Sequence, residues 1–354
     1  MAKSIKGNWQ KGEDPEVFAD KYMKDYKEHI FHQPEMSMED IRGEDVEEAI
    51  RNQKETAGGM GQWTPADLML LSKEACQHLA TFFNMIERGA GWPKHLTMAR
   101  VAFLAKEEDS DMDPLAHRVL LMLASTYRLW AKIRLSHLQP WIETWALEEI
   151  YAGIEGQGAN DAAYATAIEI ENCRLQGIDY SGGAADISKC FDQVRREIVY
   201  KLMEEAGIPK GILTAYRDFQ EPLQVRNTIA GGLGEAYAKP TSIPQGDPLS
   251  MMITSLLLRA WVMQMRMCSV KPRILADDLQ LLCTGENHLK HFEFGFNKTH
   301  EHLTDMGAKL APKKSINFSS DEASRRWMVT AKQMEKSGQH DPGYNEWKGF
   351  GGAT

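Results

Sequence analysis

The sequence predicts an α+β fold in which an antiparallel sheet packs against helices. Long stretches place apolar residues three and four positions apart, as amphipathic helices do. Two segments, residues 222–239 and 273–283, each contain two short apolar runs around a tight turn, which is the pattern of a β-hairpin. With 43% hydrophobic and 26% charged residues among 354, the chain can bury a sizeable core. Global disorder is excluded by that balance.

The N-terminal half is predicted to be mainly helical. Residues 1–50 are interpreted as an accessory segment with short polar helices at 15–30 and 37–52, the second starting at a capping box at Ser37. A helix start is also predicted at Thr64, where a capping residue precedes proline and an acid. The remaining predictions for this half are a strand at Met98–Ala105 and helices at Val119–Leu138 and Ala162–Leu175.

The C-terminal half is predicted to alternate short apolar strands with helices. The predicted strands cover residues 182–187, 222–229, 235–239, 273–276, 279–283 and 315–318. The predicted helices cover residues 192–206, 248–267 and 286–306. Residues 321–354 are rich in Gly, Ser and charge, and they are predicted to form a loosely ordered tail.

Composition restricts the classes of partner. Lys and Arg number 41 against 50 Asp and Glu, a formal net charge of −9, so the overall basic charge of many nucleic-acid-binding proteins is missing. Any nucleic-acid surface is therefore predicted to be a local basic groove. The five cysteines include no Cys-x-x-Cys pair, which argues against a disulfide framework or a Cys-rich zinc site. Neither a secretion signal nor a membrane span is expected, since the longest apolar run is short and carries Arg259.

An acidic pair, Asp277-Asp278, joins two predicted apolar strands. Adjacent carboxylates at the tip of a buried hairpin repel each other and are costly to desolvate, so a positive charge is expected beside them. A divalent cation would supply that charge. Asp186, at the end of another predicted strand, would complete a set of hard oxygen ligands suited to Mg²⁺ or Mn²⁺. For the pair taken alone, a solvated turn is the alternative interpretation.

Four segments occur in the order and approximate spacing of the reverse transcriptase palm motifs A to D. They are Asp186–Asp192 (DISKCFD), Pro244–Ser250 (PQGDPLS), Leu275–Asp278 (LADD) and Gly307–Ser315 (GAKLAPKKS). Upstream, segments similar to the fingers of the same family are Phe103–Lys106 (FLAK), His117–Leu121 (HRVLL) and Tyr127–Leu129 (YRL). Over roughly residues 50–320 the chain resembles the reverse transcriptase domain of non-LTR (LINE-type) retrotransposons, with group II intron enzymes as cousins.

The resemblance implies a right-hand polymerase fold and an RNA-directed DNA polymerase activity. Fingers would cover residues 51–178 and palm residues 179–320, and no thumb is recognisable. The enzyme would be a nucleotidyltransferase that adds dNTPs to a DNA primer on an RNA template. Its further partners would be the other domains of a parent retroelement protein, in the nucleus or the cytoplasm.

The resemblance also implies which residues are catalytic. Asp186, Asp277 and Asp278 would hold two Mg²⁺ ions, with Mn²⁺ as a substitute, for in-line phosphoryl transfer. Lys314 would protonate the departing pyrophosphate. For Lys314 taken alone, a surface lysine is the alternative interpretation.

Five further residues would bind substrate by the same resemblance. Lys106 and Arg118 would contact the triphosphate, where two cations meet three phosphates. Gln245 and Gly246 would form a turn that approaches the template or the incoming base. Phe191 would lie under the nucleotide sugar and exclude a 2′-hydroxyl. The alternatives are solvated side chains for Lys106 and Arg118, a simple helix N-terminus for the turn, and a core aromatic for Phe191.

Other functions remain open at the level of sequence. A catalytically inactive remnant that binds RNA or a partner is favoured by the acidic balance, the missing thumb motif and Leu275, where the family usually has Tyr or Phe. An RNA-templated RNA polymerase is the third possibility, although Phe191 argues for DNA as product. A helix carrying His288, His291, His300 and His302 is interpreted as a solvated face, with a zinc site as the alternative.

Overall fold

The computed structural model describes residues 14–105, 117–229, 231–239, 241–312 and 314–337. Within these residues helices are combined with two four-stranded sheets, which confirms the predicted mixture of helix and sheet. All five cysteines are free thiols. None of the helices in the described part of the chain combines the length and the apolar composition needed to cross a membrane.

The helices and strands follow one another along most of the described chain. The strands are β1 (Met98–Ala105), β2 (His117–Met122), β3 (Tyr180–Asp186), β4 (Gln224–Ile229), β5 (Gly232–Ala238), β6 (Lys271–Leu275), β7 (Asp278–Thr284) and β8 (Ile316–Ser319). The helices are α1 (Pro15–Asp25), α2 (Gly43–Arg51), α3 (Pro65–Leu68), α4 (Lys73–Met85), α5 (Ser125–His137), α6 (Gln139–Trp145), α7 (Ala159–Gln176), α8 (Cys190–Gln193), α9 (Arg196–Glu205), α10 (Lys210–Gln220), α11 (Ser250–Met267), α12 (His288–Asp305) and α13 (Glu322–Ser337).

The chain divides into two compact units. The first, here the β1 unit, comprises residues 1–21, 32–143 and 199–250, and the second, the β3 unit, comprises residues 22–31, 144–198 and 251–354. Each unit is thus assembled from three separate stretches of the chain.

The β1 unit contains a mixed sheet in the order β2-β1-β4-β5. β1 pairs antiparallel with β2 and parallel with β4, and β4 forms a hairpin with β5. Its core includes a group of aromatic rings in which Trp92 packs edge-on against Tyr127, Trp130 and Phe219. Large rings bury much apolar area, so this group contributes strongly to the stability of the unit.

The β3 unit contains an antiparallel sheet in the order β6-β7-β3-β8. Small residues in β3 permit close packing on both sides: a Cβ at Gly182 would lie 2.6 Å from the Phe318 ring, and one at Gly183 would lie 3.0 Å from the Phe292 ring of α12. Gly–Gly in a strand interior is otherwise unfavourable, and here it marks these close approaches. The sheet positions the ends of β3 and β7, where the acidic residues lie.

Several elements differ from the sequence prediction, among them residues 192–206, where one helix is predicted and α8 and α9 are found. The helix predicted from Ser37 begins at Gly43, where Arg42 and Asp45 form the cap, and the segment predicted as one helix over residues 119–138 is β2 followed by α5. A short apolar run suits either a strand or a buried helix, and pairing with β1 decides for the strand. Residues 322–337 form α13 where the sequence predicts loose order, because its apolar residues follow helical spacing despite the high charge.

Ser181, His288 and Asp321 of the β3 unit lie in the order of a Ser-His-Asp triad, and Ser181 also links β3 to β8. Ser181 Oγ lies 2.7 Å from His288 Nδ1, and His288 Nε2 lies 3.5 Å from an Asp321 carboxylate oxygen. Ser181 is completely buried and also donates to Ser319 Oγ of β8 (3.0 Å). A nucleophile must be reached by its substrate, so these bonds are better explained as a clamp between β3 and β8 than as hydrolytic chemistry.

Two histidines of α12 are buried, so the interpretation of a wholly solvated helix face was wrong for His288 and His302. His302 lies completely buried against the rings of Tyr22 and Tyr26 from the N-terminal segment, with Tyr22 Oη 3.3 Å from its Nε2. Within the described residues, no group of three His, Cys, Asp or Glu side chains is arranged to hold a metal ion.

His302 is expected to make the protein less stable as the pH falls. Burial lowers the pKa of His302 to about 3, well below the value of about 6.5 expected in the unfolded chain. Stability from neutral His302 is therefore complete above pH ~6.5 and is lost progressively below it. Between pH 7 and 5 the free energy of unfolding should fall about 2 kcal/mol more in the unaltered protein than in His302→Gln.

Urea denaturation at the two pH values measures this difference. His291→Gln, a partly exposed position on the same helix, is the control. Equal pH dependence in the unaltered protein and His302→Gln would contradict a neutral buried histidine.

Candidate active site

The β6–β7 hairpin presents two carboxylates at its tip. Leu275 pairs with Asp278, so Ala276 and Asp277 form the connection between the strands. Ala276 has a φ of 57°, a left-handed conformation of the kind that two-residue hairpin turns require. Asp277 therefore lies in the turn itself, and Asp278 is the first residue of β7.

β3 brings Asp186 to the same place. In the β3–β7 ladder Asp186 lies directly opposite Asp278, and the next backbone N–H, from Ile187, donates to the Asp277 carbonyl (3.3 Å). Directly opposed residues of an antiparallel pair project to one face of the sheet. The structure thus brings Asp186, Asp277 and Asp278 together, and these three are called the carboxylate cluster below.

The electrostatics of the carboxylate cluster are unfavourable without a cation. Desolvation is the main reason that the pKa of Asp277 is raised, and repulsion from Asp278 and Asp186 raises it further. The pKa of Asp278 is raised in the same way, first by desolvation and then by repulsion from Asp186. Such raised values indicate that each ionised carboxylate would be stabilised by additional positive charge.

Lys314 supplies part of that charge. Its Nζ lies 2.7 Å from Asp186 Oδ2, and this hydrogen bond is the main cause of a raised pKa for Lys314. The Lys314 side chain is 62% exposed, so the pair adds little to stability. The four predicted catalytic residues, Asp186, Asp277, Asp278 and Lys314, therefore lie close together in space.

The segment that carries Lys314 also holds the backbone of β3 at its end. Ala311 N donates to the Asp186 carbonyl (2.8 Å), and Asp186 N donates to Ser315 Oγ (3.3 Å). Ser315 in turn donates to the Ala311 carbonyl (3.0 Å) and is nearly buried. Sequence reasoning missed Ser315, because nothing in the sequence distinguishes it from an ordinary serine after two lysines.

The carboxylate cluster has the donor chemistry of a site for a hard divalent cation. However, within the described residues it does not form a preformed metal-binding group of three side chains, and one Asp186 oxygen accepts a bond from Lys314. The residues therefore fit such an ion in type and proximity, and binding would require side chains to reorient.

Cys190 and Phe191 follow on α8. Burial, with the nearby Asp277 and Asp186, raises the pKa of Cys190 far above its ordinary value, so its thiol stays protonated and is a poor nucleophile. Phe191 is half-buried one residue further on. The left-handed conformation of Lys189 (φ 48°) starts this short helix directly after β3.

Three of the five predicted substrate-binding residues lie in the β1 unit, and Phe191 lies in the β3 unit. Arg118 is exposed on β2, and the N–H of Leu121 on the same strand donates to the Gln245 carbonyl (2.9 Å). Gly246 has a φ of 111°, and a Cβ there would lie 2.7 Å from the Leu121 carbonyl. The structure therefore places the Gln245–Gly246 turn against the strand of Arg118. The fifth residue, Lys106, lies outside the described residues.

Asp247 directly precedes the predicted helix over residues 248–267, where an acid can cap the helix N-terminus, and sequence reasoning assigned it no other role. Asp247 is buried, and its carboxylate accepts hydrogen bonds from Tyr127 (2.7 Å) and Gln220 (2.8 Å). These partners are 120 and 27 residues away, so only the fold reveals them.

Comparison with known proteins points to one family. Residues 106–338, more than half of the chain, match the family model described as reverse transcriptase (RNA-dependent DNA polymerase). The matched span contains the carboxylate cluster, Lys314 and the Gln245–Gly246 turn. No match is found among curated proteins.

Proposed function

Since the chain belongs to the reverse transcriptase (RNA-dependent DNA polymerase) family, we propose that it adds dNTPs to a DNA primer on an RNA template. One structural observation supports this proposal in addition to family membership. Asp186 lies opposite Asp278 in the β3–β7 ladder, with Asp277 in the adjoining turn. The raised pKa values of Asp277 and Asp278 indicate that positive charge would stabilise their ionised forms.

The carboxylate cluster would hold two Mg²⁺ ions, or Mn²⁺. When bound, the ions would lower the pKa of the primer 3′-hydroxyl and neutralise the departing pyrophosphate. Lys314 would leave Asp186 when the cluster is loaded, and its ammonium group would donate a proton to the pyrophosphate oxygen. Ser315 would keep the Asp186 backbone in place during this exchange.

The substrate roles follow the resemblance of the motifs. Arg118 and Lys106 would bind the triphosphate oxygens, since a guanidinium and an ammonium together suit a polyphosphate. The Gln245–Gly246 turn would contact the template or the incoming base. We further propose a non-LTR type of element, with fingers at residues 51–178 and palm at residues 179–320.

Primer extension on poly(rA) with an oligo(dT) primer, dTTP and Mg²⁺ tests the proposed function directly. The expected result is extension that depends on the RNA template and yields alkali-resistant DNA. A purified, folded chain that extends no primer with Mg²⁺ or Mn²⁺ would refute the proposal. In a parallel reaction with UTP in place of dTTP, preferred synthesis of an alkali-labile product would indicate an RNA polymerase instead.

A catalytically inactive remnant makes a different prediction about ligand binding. If the carboxylate cluster binds metal and dNTP in the folded state only, both ligands together should raise the melting temperature, as linkage requires. At a hundred times the dissociation constant the added stability is about 2.7 kcal/mol. A remnant with a closed or altered site would show no such rise.

Phe191 is expected to select deoxynucleotides. Replacing it with Val should leave space for a 2′-hydroxyl and lower the preference for dTTP over UTP by about tenfold or more, because a clash of about 1–3 kcal/mol is removed. The ratio of kcat/KM for the two nucleotides measures the effect. Phe318→Val, the same change on β8 of the same unit, is the control and should leave the ratio unaltered. An unchanged ratio in Phe191→Val would assign Phe191 to packing alone.

A further inference from the structure

A buried polar network lies next to the Gln245–Gly246 turn. The Asp247 carboxylate is 5% exposed and accepts three hydrogen bonds: from Tyr127 Oη at 2.7 Å, from Gln220 Nε2 at 2.8 Å and from Leu249 N at 3.0 Å. All these residues belong to the β1 unit. A helix cap needs only the bond from the backbone, and Ser, Thr or Asn can provide it without burying a charge. The two side-chain donors therefore indicate a role for Asp247 beyond capping.

The two donors are themselves held rigidly. The Tyr127 ring is completely buried and stacks on Phe219, with centroids 3.5 Å apart and planes 11° apart. Gln220 is also completely buried at the end of α10, and its Nε2 lies 3.3 Å from Tyr127 Oη. Buried, packed side chains have little freedom to rotate. The position of the carboxylate is consequently set by α5 and α10.

Asp247 is rigidly coupled to the turn that precedes it. Its backbone N–H donates to the Pro244 carbonyl (3.1 Å), and Ser250 Oγ donates to the same carbonyl (2.8 Å). On the other side, the turn lies against β2: the Leu121 N–H donates to the Gln245 carbonyl (2.9 Å), and a Cβ at Gly246 would lie 2.7 Å from the Leu121 carbonyl oxygen. Because these contacts restrain the backbone on both sides of the turn, we expect a displacement of the Asp247 carboxylate to move Gln245 and Gly246 as well.

We propose that Tyr127 and Gln220 are positioning residues for polymerisation, which fix the Gln245–Gly246 turn through the Asp247 carboxylate. The inference rests on the proposed polymerase function, since it is the turn that would meet the nucleotide or template. It assigns a purpose to a buried carboxylate whose desolvation is otherwise unfavourable.

Tyr127→Phe tests the proposal, because it removes one hydroxyl and keeps the stacked ring. The lost hydrogen bond joins Tyr127 Oη to the charged Asp247 carboxylate, and such bonds contribute about 1.5–3 kcal/mol. If about half of that positions the turn for dTTP binding, KM for dTTP should rise roughly tenfold with little change in kcat. Tyr200→Phe is the matched control: Tyr200 Oη also donates to a carboxylate of the same unit, that of Glu221, at 2.7 Å. It should leave KM unaltered. Gln220→Met is a second variant that removes the other donor, and it serves if Tyr127→Phe fails to fold.

The pH profile gives a readout that a purely structural role would not move. Burial raises the pKa of Asp247 to about 6, and its three hydrogen bonds oppose that rise. The ionisable neighbours are Tyr127 itself and Tyr216, which acts on Tyr127 from α10. Loss of the Tyr127 donor should raise the pKa of Asp247 further, so the acidic limb of kcat/KM should move to higher pH in Tyr127→Phe and stay in place in Tyr200→Phe.

Amide hydrogen exchange separates this proposal from the proposed function. Exchange at residues 245–250 should become faster in Tyr127→Phe than in Tyr200→Phe, whether or not the chain polymerises. If the unaltered protein is inactive but exchange changes in this way, the polymerase function fails and the positioning network stands. Unchanged exchange, KM and acidic limb in Tyr127→Phe and Gln220→Met would overturn the inference.

Discussion

Primer extension is expected to fall at least about a thousandfold in Asp277→Asn, because the side chain loses the charge that would hold the catalytic cations. Asparagine has nearly the same shape, so packing of the β6–β7 turn should be preserved. The rate of nucleotide addition on poly(rA)·oligo(dT) measures the loss. Asp179→Asn is the matched control, since Asp179 precedes β3 at the opposite end of the strand from Asp186 and its carboxylate accepts from Ser320 Oγ. The control should retain full activity.

The same variant should be at least as stable as the unaltered protein. The pKa of Asp277 is raised, so its ionised form is less favourable in the folded than in the unfolded chain at neutral pH. Removing the charge also relieves repulsion of Asp278 and Asp186. An inactive protein with an equal or higher melting temperature would show that Asp277 is retained for function at the expense of stability. Activity within a few-fold of the unaltered protein would refute its catalytic assignment.

Two members of the carboxylate cluster, Asp277 and Asp278, could be predicted to lie together because they share one local hairpin. An acidic pair between two apolar runs already implies a hairpin tip, and the β6–β7 register confirms that hairpin. To place Asp186 beside them, β3 must pair with β7. The order of the motifs suggested that the two segments meet, and in the structure Asp186 pairs with Asp278. Their roles in catalysis stay predictions until activity is measured.

The arrangement of the remaining chain depends on contacts between distant residues. β1 pairs in parallel with β4, Met98 with Gln224, and no local pattern encodes such a pairing. His302 was assigned to a polar helix, and its burial follows from Tyr22, which is 280 residues away. In the predicted accessory segment, residues 1–50, the ring of Tyr26 packs on His302, and Tyr22, Val46 and Ile50 are buried, which no local pattern indicates. The spacing of apolar residues predicts which side of a helix or strand is buried. Contacts between distant residues decide which part of the chain covers that side.

Arg134→Met is expected to destabilise the β1 unit by about 3–5 kcal/mol. Arg134 is 2% exposed and donates through Nε (2.7 Å) and Nη2 (2.6 Å) to the Glu87 carboxylate, and its Nη1 donates to the Glu39 carbonyl (3.0 Å). The substitution therefore removes two donors from a carboxylate that is only 11% exposed. Urea denaturation of the full chain measures the change in the free energy of unfolding.

A double variant distinguishes an unpaired charge from lost packing. In Arg134→Met with Glu87→Leu no buried charge is left without its partner, so much of the lost stability should return. Arg51→Met, at an exposed arginine whose Nη2 lies 3.8 Å from Glu47, is the control and should change stability by less than about 1 kcal/mol. If Arg134→Met cost no more than this control, the pair would contribute as little as a surface ion pair. A large loss in Arg134→Met that the double variant largely recovers would show that most of the cost comes from leaving the Glu87 carboxylate buried without its partner.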